Sequence, residues 1–490
     1  METLLNYIDG KFVPARGGGT REFINPADNS TLGAVAESDV ADAESAIAAA
    51  RTAFDDGPWP WTPAAERAAK LFKLADLIDA NAAELARRDS LNNGKPLREA
   101  QFDAADAAAC FRYYAGFATK PHGETYEVGD PNMLSQSVRE PIGVCGQIIP
   151  WNYPLLMAAW KLAPALAAGN CCILKPSELT PWSVQLLFQL IDEAGFPPGV
   201  VQLIYGAGDP AGSVLAASHD VDKIAFTGGT ATGRKIMQAA TGNLKRVTLE
   251  LGGKSPIVMF ADTDPAVALE YAMFGIFAGQ GEVCNAGSRL FLESSMVGEF
   301  LPRLKVACEK IVVGRGLDES TEMGPLITKA HQQKVLGCIA DGRESGAELL
   351  TGGAAYDDWR AAGNFVQPTI FVKAPAGAKI MREEIFGPVL VIDTFETEEE
   401  AIRKANDTVY GLAGAVFTKD GARAQRVIRK LRAGVTWINT FHFTFNEAPW
   451  GGVKQSGFGR ELGTHGYDAY TEVKQITTNI APGPLGWFKG

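Results

Sequence analysis

One cysteine, Cys284, lies among small, turn-forming residues in the segment GQGEVCNAGSR, from Gly279 to Arg289. A thiol on a sharp turn could act as a nucleophile that local dipoles activate. The alternative is an inert core residue, which is the usual environment of a cysteine. Gly279, Gly281 and Gly287 favour the nucleophile, because glycines permit the strained backbone that such a turn needs. None of the five histidines shows a pairing with this thiol, which argues against a papain-like site.

Two other side chains could assist such a nucleophile. Glu250 closes the apolar segment VTLE, where partial shielding from water should raise its pKa toward that of a general base. Asn152, in PWNYP, could direct its amide N–H at a developing oxyanion. Their plain alternatives are an exposed acid at a strand end and an asparagine in a proline-flanked turn.

Two segments have the residue types that hold a dinucleotide. Lys175 and Glu178, in LKPSE, could bond ribose hydroxyls, and an acid at the 2′-hydroxyl favours NAD over NADP. The segment TGGTATG, Thr227 to Gly233, could let the backbone approach a pyrophosphate at a helix N-terminus. An ordinary surface loop and a plain tight turn are the alternatives.

Strand-like and helix-like segments alternate through the middle of the chain, which predicts an α/β fold with a doubly wound parallel sheet. One helix is predicted after the strand CCILK, with Thr180 as N-cap, Pro181 at its first position and Gly195 as its stop. Residues 40–90 are predicted to be helical. Ligands bind beyond the carboxyl ends of strands in such sheets. The residues just past these ends are Asn152, Lys175, Glu178, Gly206, Gly228, Gly229 and Glu250.

Composition limits the class of protein. The 490 residues are 46% hydrophobic and 21% charged, which predicts a soluble globular protein of several domains. A net charge of -11 argues against binding to nucleic acid or to an anionic membrane. The chain shows no signal peptide, and its seven cysteines have no disulfide spacing, so a cytoplasmic location is expected. No CxxC or HExxH cluster predicts a metal site.

Seven segments, taken together, resemble the NAD(P)-dependent aldehyde dehydrogenase superfamily, and they occur in the family's order along nearly the whole chain. They are PWNYPL, LKPSELTP, FTGGTATG, VTLELGGKSP, GQGEVCNAGSR, EEIFGPV and PWGGVKQSGFGRELG. The resemblance implies a Rossmann-type NAD-binding domain (1–122 and 142–252), an α/β catalytic domain (253–465) and a small β oligomerisation arm (123–141 and 466–490). It also implies NAD as cofactor with NADP tolerated, a small-molecule aldehyde as substrate, and a homodimer or homotetramer.

The resemblance also implies roles for matching residues. Cys284 would form a thiohemiacetal and then a thioester, Asn152 and the Cys284 N–H would form the oxyanion hole, and Glu250 would activate water. Glu461 would be an acid that relays protons. The cofactor-binding residues would be Trp151, Lys175, Glu178, Gly206, Gly228, Gly229, Gly233, Glu384 and Phe386. The substrate-binding residues would be Tyr153, Trp160, Phe443 and Trp450, with Asp103 and Asp106 at the tunnel mouth.

Two positions depart from the family's pattern. Gly229 stands where the family often has serine, and Glu282 stands where glutamine is common, so that its carboxylate could raise the pKa of Cys284. Glu250 argues against the branch that transfers the acyl group to coenzyme A. A betaine-type or amino aldehyde is favoured as substrate, with an aromatic or aliphatic aldehyde as the alternative. A cysteine hydrolase without redox chemistry and a silent structural member are alternatives of a different class.

Overall fold

The computed structural model describes residues 2–488. Met1, Lys489 and Gly490, at the ends of the predicted NAD-binding domain and arm, lie outside the described residues. Within residues 2–488 the α-helices are α1 (Val40–Asp55), α2 (Ala64–Ala80), α3 (Ala82–Asn93), α4 (Leu97–Phe117), α5 (Pro154–Ala168), α6 (Trp182–Ala194), α7 (Ser213–Ala217), α8 (Thr230–Ala240), α9 (Pro265–Phe277), α10 (Val297–Glu309), α11 (Lys329–Glu344), α12 (Lys379–Arg382), α13 (Glu398–Asn406), α14 (Gly421–Ile428) and α15 (Gly463–Asp468). The strands are β1 (Thr3–Leu4), β2 (Asn6–Ile8), β3 (Lys11–Val13), β4 (Thr20–Asn25), β5 (Ser30–Ala36), β6 (Thr125–Tyr126), β7 (Met133–Pro141), β8 (Val144–Ile148), β9 (Cys171–Lys175), β10 (Val201–Leu203), β11 (Lys223–Gly228), β12 (Arg246–Leu251), β13 (Pro256–Met259), β14 (Arg289–Glu293), β15 (Glu348–Thr351), β16 (Thr369–Val372), β17 (Val389–Phe395), β18 (Ala413–Phe417), β19 (Val435–Ile438), β20 (Gly457–Phe458) and β21 (Thr471–Asn479).

The first large sheet has eight strands in the order β20-β12-β11-β8-β9-β10-β2-β3. Its five central strands, β12 to β10 in this order, are parallel. Every residue of β8, β9 and β10 is buried, as expected for parallel strands that helices cover on both faces. The predicted doubly wound parallel sheet is therefore confirmed.

The helix after β9 corrects one detail of the prediction. Helix α6 begins at Trp182, and Pro181 rather than Thr180 is its N-cap residue. The Thr180 hydroxyl instead donates to the Trp151 carbonyl at 3.2 Å, so it ties this helix to the loop that follows β8. Gly195 ends the helix in the left-handed conformation, with φ 81°, as predicted. The predicted helices between 40 and 90 are confirmed as α1, α2 and α3.

The second large sheet has seven strands in the order β15-β16-β17-β14-β13-β18-β19. All of them except the edge strand β15 run parallel. Strand β20 lies within the 253–465 segment but pairs with β12 of the first sheet. The C-terminal part of the predicted catalytic domain therefore returns to the first large sheet, beside Glu250.

A separate three-stranded sheet has the order β21-β7-β6. Strands β7 and β21 pair antiparallel along nine residues each, so both segments of the arm contain strands, as the resemblance implied. Most residues of β21 are exposed. The role of this sheet in assembly and the predicted domain boundaries remain predictions.

Candidate active site

The residues before Cys284 form an unusual turn. Gly279, Gln280 and Gly281 all have left-handed backbone conformations, with φ 55°, 47° and 72°. A Cβ on Gly281 would lie 2.2 Å from the Gly387 carbonyl oxygen, so only glycine permits this close approach. The turn leaves Cys284 partly exposed before β14 of the second sheet. A Cβ on Gly253, which follows β12 of the first sheet, would lie 2.8 Å from the Cys284 carbonyl oxygen.

The surroundings of the Cys284 thiol favour its protonated form. Burial raises its pKa to about 12, and the Glu384 and Glu250 carboxylates add to this rise. The backbone N–H groups of Cys284 and Asn285 oppose it. The Glu282 carboxyl group contacts the Ile327 N–H and Gln280 Nε2. A base must therefore take the thiol proton before attack.

Asn152 follows β8 and is buried. Its Nδ2 donates to the Glu282 carbonyl at 2.8 Å, which fixes the carboxamide against the turn that carries Cys284. Within residues 2–488 this bond uses one of the two Nδ2 hydrogens, and the other remains available to a negative oxygen. The structure thus brings together the two residues that the sequence indicated for an oxyanion hole.

Glu250 lies in β12 and is 4% exposed. Neither of its carboxylate oxygens has a hydrogen-bond partner among the described residues. Burial and then the Glu461 charge raise the pKa of Glu250 well above its usual range, while Lys161, Arg460 and the nearby Gly452 N–H oppose this rise. The direction of this shift agrees with the one expected from the sequence, and its main cause is complete burial rather than partial shielding.

A buried ion pair lies behind Glu250. Lys161, on α5, donates to the Thr227 hydroxyl at 2.6 Å and to a Glu461 carboxylate oxygen. Two backbone hydrogen bonds with Trp450, of 2.7 and 2.8 Å, hold Glu461 in place. Sequence reasoning did not identify Lys161, although a single lysine in the apolar segment LLMAAWKLAPALAAG was a signal.

Lys175 ends β9, and its Nζ lies 3.6 Å from Glu178 Oε2. Lys175 is 3% exposed, and its pKa is lowered by burial, an effect that Glu178 opposes. An ammonium and a carboxylate side by side at a strand end fit the two hydroxyls of a ribose. These residues form the first part of a site that fits a dinucleotide.

The N-terminus of α8 forms the second part. The helix begins after Gly229 without a side-chain cap, so its first N–H groups are available to an anion. A Cβ on Gly229 would meet no atom within 4 Å, which leaves space for a phosphate. A Cβ on Gly233 would lie 2.7 Å from Leu251, so that glycine lets α8 pack against β12. Gly228 is the last residue of β11, just before this helix. Gly206 lies in the loop that follows β10 and has φ 116°.

Glu384 and Phe386 lie just before Gly387, whose carbonyl oxygen faces Gly281. The turn of residues 279–284 is called the catalytic turn below. Glu384 Oε1 accepts from the Gly253 N–H at 3.1 Å, and burial raises its pKa to about 7. The Phe386 ring packs edge-on against Trp151, with 5.3 Å between the ring centroids. His331, which sequence reasoning missed, donates from Nε2 to the Phe386 carbonyl at 2.7 Å and holds this left-handed residue.

Two of the aromatic residues named from the sequence, Trp160 and Trp450, pack against each other. The Trp160 and Trp450 rings are 5.7 Å apart, and Trp437, a residue the sequence analysis missed, lies 6.3 Å from Trp450. Trp437 Nε1 donates to the Phe443 carbonyl at 3.0 Å. Tyr153 borders the catalytic turn, since a Cβ on Gly279 would lie 3.5 Å from its hydroxyl.

The structure separates the two acids placed at the tunnel mouth. Asp103 is buried, and its Oδ2 lies 2.5 Å from Lys95 Nζ, so an ammonium neutralises its charge. Asp106 is exposed as a residue, but partial burial of its carboxyl group, and then the neighbouring Asp103, raise the pKa of that group. Of the two, only Asp106 presents a carboxyl group to solvent. Glu99, a third acid on α4, accepts from the Gly279 N–H at 3.0 Å.

Within residues 2–488 no helix is both long enough and apolar enough to cross a membrane. The same residues contain no group of three or more histidine, cysteine, aspartate or glutamate side chains that could hold a metal ion.

The model of the "Aldehyde dehydrogenase family" matches residues 12–476. The chain belongs to the aldehyde dehydrogenase family. It is 48% identical over 483 residues to a betaine aldehyde dehydrogenase of Bacillus subtilis, covering 98% of this chain and 99% of the relative. It is 45% identical over 472 residues to the peroxisomal aminoaldehyde dehydrogenase 2 of Pisum sativum, covering 95% and 94%.

A solved structure is similar over the same length. The betaine aldehyde dehydrogenase of Staphylococcus aureus in complex with NAD+ superposes with a TM-score of 0.98 at 44% identity, covering 99% of this chain and 97% of that one. The enzyme is thus an aldehyde dehydrogenase, an oxidoreductase that uses a nicotinamide cofactor. The family, the fold class, the enzyme class and the cofactor predicted from the sequence are confirmed.

Proposed function

We propose that the enzyme oxidises a small aldehyde to the free carboxylic acid through a covalent intermediate on Cys284. The observation that carries this proposal is the arrangement around the thiol. Asn152 is fixed beside the catalytic turn, while Glu250 lies buried near it without a hydrogen-bond partner among the described residues. This set supplies a nucleophile, an oxyanion donor and a base.

The residues of the chain act in a fixed order in this mechanism. Glu250 takes the thiol proton, and Cys284 Sγ forms a bond with the carbonyl carbon. The carbonyl oxygen becomes an oxyanion that accepts from Asn152 Nδ2 and from the Cys284 N–H. NAD, when bound, supplies the hydride acceptor that oxidises this thiohemiacetal to a thioester. Glu250 releases the thiol proton to solvent and then removes a proton from water, whose oxygen attacks the thioester carbon. The C–S bond breaks, the acid leaves, and the Cys284 thiolate regains a proton from Glu250.

The cofactor site supports NAD as the preferred partner, with NADP tolerated. Lys175 and Glu178 would hold the adenosine ribose, and the N-terminus of α8 after Gly229 would hold the pyrophosphate. The Glu178 carboxylate would repel a 2′-phosphate, which disfavours NADP. Glu384 and Phe386 would position the nicotinamide end, beside Cys284.

A betaine-type or amino aldehyde is the proposed substrate. Two relatives of high identity are named for betaine aldehyde and aminoaldehyde. Trp160, Trp450 and Trp437 form a cluster whose ring faces could attract a quaternary ammonium. The same rings could stack on an aromatic aldehyde, which is the second candidate.

Asp106 distinguishes the two candidates. If this exposed acid attracts a cation, Asp106→Ala raises KM for an aminoaldehyde several-fold, in the range of about 1 kcal/mol for an exposed charge, and leaves KM for benzaldehyde unchanged. Equal changes for both substrates would contradict the proposal. Asp103 is unsuitable for this test, because its removal would leave Lys95 buried without its partner.

A homodimer or homotetramer in the cytoplasm is the proposed state. The arm formed by β6, β7 and β21 has exposed apolar side chains at Leu134, Val473 and Ile476, and its edge strands offer unpaired backbone groups. The seven cysteines are free thiols, which fits a reducing compartment. A molar mass of one chain, measured by light scattering, would contradict the proposed assembly.

The function is tested by NADH absorbance with NAD or NADP and a set of aldehydes. The set contains betaine aldehyde, an aminoaldehyde, benzaldehyde, phenylacetaldehyde and hexanal. We expect reduction of NAD that Cys284→Ala abolishes, with the cationic aldehydes fastest. Ester hydrolysis by Cys284 without any reduction of NAD would instead favour the hydrolase.

A further inference from the structure

Glu282 stands two residues before the nucleophile, and no step of the proposed reaction uses it. Its side chain is 1% exposed. Asn152 binds its backbone carbonyl, so the main chain of this residue already belongs to the site. The question is what a buried carboxyl group does at a position so close to Cys284.

The groups around the Glu282 carboxyl are neutral. The Ile327 N–H donates to Oε1 at 3.0 Å, and Gln280 Nε2 lies 3.3 Å from Oε2. His331 Nε2 is 3.6 Å from Oε1, but its N–H is used by the Phe386 carbonyl. Burial lowers the pKa of His331 to about 4, so this ring is uncharged at neutral pH.

Lys95 is the charged group that acts on Glu282, and it has closer partners. Its Nζ lies 2.5 Å from Asp103 Oδ2, and its field also acts on Asp89 and Glu99. One ammonium thus faces several buried carboxyl groups. An ionised Glu282 would be a buried charge without a partner of its own, which is strongly unfavourable. Burial accordingly raises the pKa of Glu282 well above its usual range.

Gln280 carries an independent sign of the same arrangement. Its Oε1 is buried and has no hydrogen-bond partner among the described residues. This oxygen and the Gly94 carbonyl oxygen both border the position that a Cβ of Gly324 would take, at 3.4 and 1.9 Å. The oxygen and nitrogen of a glutamine amide are exchanged by a simple rotation. After that rotation Oε1 faces the Glu282 carboxyl, and Nε2 lies on the side of the Gly94 carbonyl.

We propose that Glu282 is a positioning residue that, as a neutral carboxylic acid, donates a hydrogen bond from Oε2 to Gln280 Oε1 and so holds the turn that presents Cys284. The acid accepts from Ile327 and donates to Gln280, as the carboxamide of a glutamine would. It thereby links the left-handed Gln280 to the segment before α11. The inference rests on the proposed role of Cys284 as the nucleophile.

Two variants of the full-length enzyme test this inference. Glu282→Gln keeps both hydrogen bonds and removes the possibility of ionisation, whereas Glu282→Ala removes both bonds. The rate of Cys284 alkylation by iodoacetamide, followed by mass spectrometry, reports the geometry of the turn without any aldehyde. Cys338, partly exposed on α11, is alkylated in the same sample and serves as the internal control.

We expect Glu282→Gln to alkylate within about twofold of wild type, and Glu282→Ala to depart by about fivefold or more, since each bond is worth roughly 1 kcal/mol. The infrared difference spectrum between wild type and Glu282→Gln should contain the carbonyl stretch of a protonated carboxylic acid.

Carboxylate bands in that spectrum would overturn the inference. So would an alkylation rate for Glu282→Gln that departs as far as that of Glu282→Ala, or a Glu282→Ala rate equal to wild type. Both readouts remain informative if no aldehyde is oxidised, so failure of the proposed function is distinguishable from failure of this inference.

Discussion

The buried pair of Lys161 and Glu461 gives a prediction whose size follows from the structure. Lys161 is fully buried, and its ammonium contacts the Thr227 hydroxyl and the Glu461 carboxylate. Glu461 Oε2 already has no partner among the described residues. Lys161→Met keeps the length of the side chain but leaves the Glu461 carboxylate without its counter-charge.

Removing one partner of a buried ion pair costs about 3–5 kcal/mol. At about 2 °C per kcal/mol for a cooperative unit of about 250 residues, Lys161→Met should lower the apparent melting temperature by about 6–10 °C. Adding Glu461→Gln replaces the unpaired charge by a neutral amide, whose missing hydrogen bond costs only about 1–3 kcal/mol. The double variant should therefore melt at a higher temperature than Lys161→Met alone.

The assay is thermal unfolding followed by tryptophan fluorescence at one scan rate for all variants. Lys379→Met is the matched control, because this lysine pairs with Asp341 at 2.8 Å on the surface and is 63% exposed. Its loss should cost less than about 1 kcal/mol. The reasoning is refuted if Lys161→Met melts within about 2 °C of wild type, or if the double variant is less stable than the single one.

Two further predictions concern the cofactor and the base. Gly252→Ala would place a Cβ 2.0 Å from Glu384 Oε2 and displace that carboxylate, so KM for NAD should rise by about tenfold. Gly298→Ala is the control, because its Cβ would have no atom within 4 Å, and it should leave KM for NAD unchanged. The reaction needs Glu250 in its ionised form, and the pKa of Glu250 is raised. Below that pKa, kcat should therefore rise about tenfold per pH unit. The rise should continue at pH values where an ordinary glutamate is already fully ionised. A kcat that is already constant at pH 5 would contradict the second prediction.

The alternation of apolar strands and helices predicted the first sheet well, because parallel strands buried on both faces are nearly continuous apolar runs. The strand CCILK and the stop at Gly195 are examples where local sequence decides the structure. Thr180 shows the limit of such rules. Its hydroxyl is used by the Trp151 carbonyl, a partner that is distant in sequence, so no local pattern could indicate it.

The candidate site followed a similar division. Cys284, Asn152 and Glu250 were candidates from their types and positions at strand ends and turns, and the family resemblance favoured their chemical roles over the plain alternatives. Lys161 and His331 were missed, because their importance comes from partners that only the fold brings near them. Long-range pairing of buried polar groups is set by packing and leaves no periodic signal in the sequence.

The measurement that tests the account most directly is rapid-mixing NADH absorbance with an aldehyde, NAD and Glu250→Gln. If Cys284 forms the thioester and Glu250 activates the water that releases it, this variant should produce at most one NADH per active site and then stop. Because Glu250 also takes the thiol proton, this first NADH should form more slowly than in wild type, and turnover should still stop after it. Cys284→Ala should produce no burst. Continued turnover by Glu250→Gln at the wild-type rate would contradict the assignment of the base, and NADH production by Cys284→Ala would contradict the covalent mechanism.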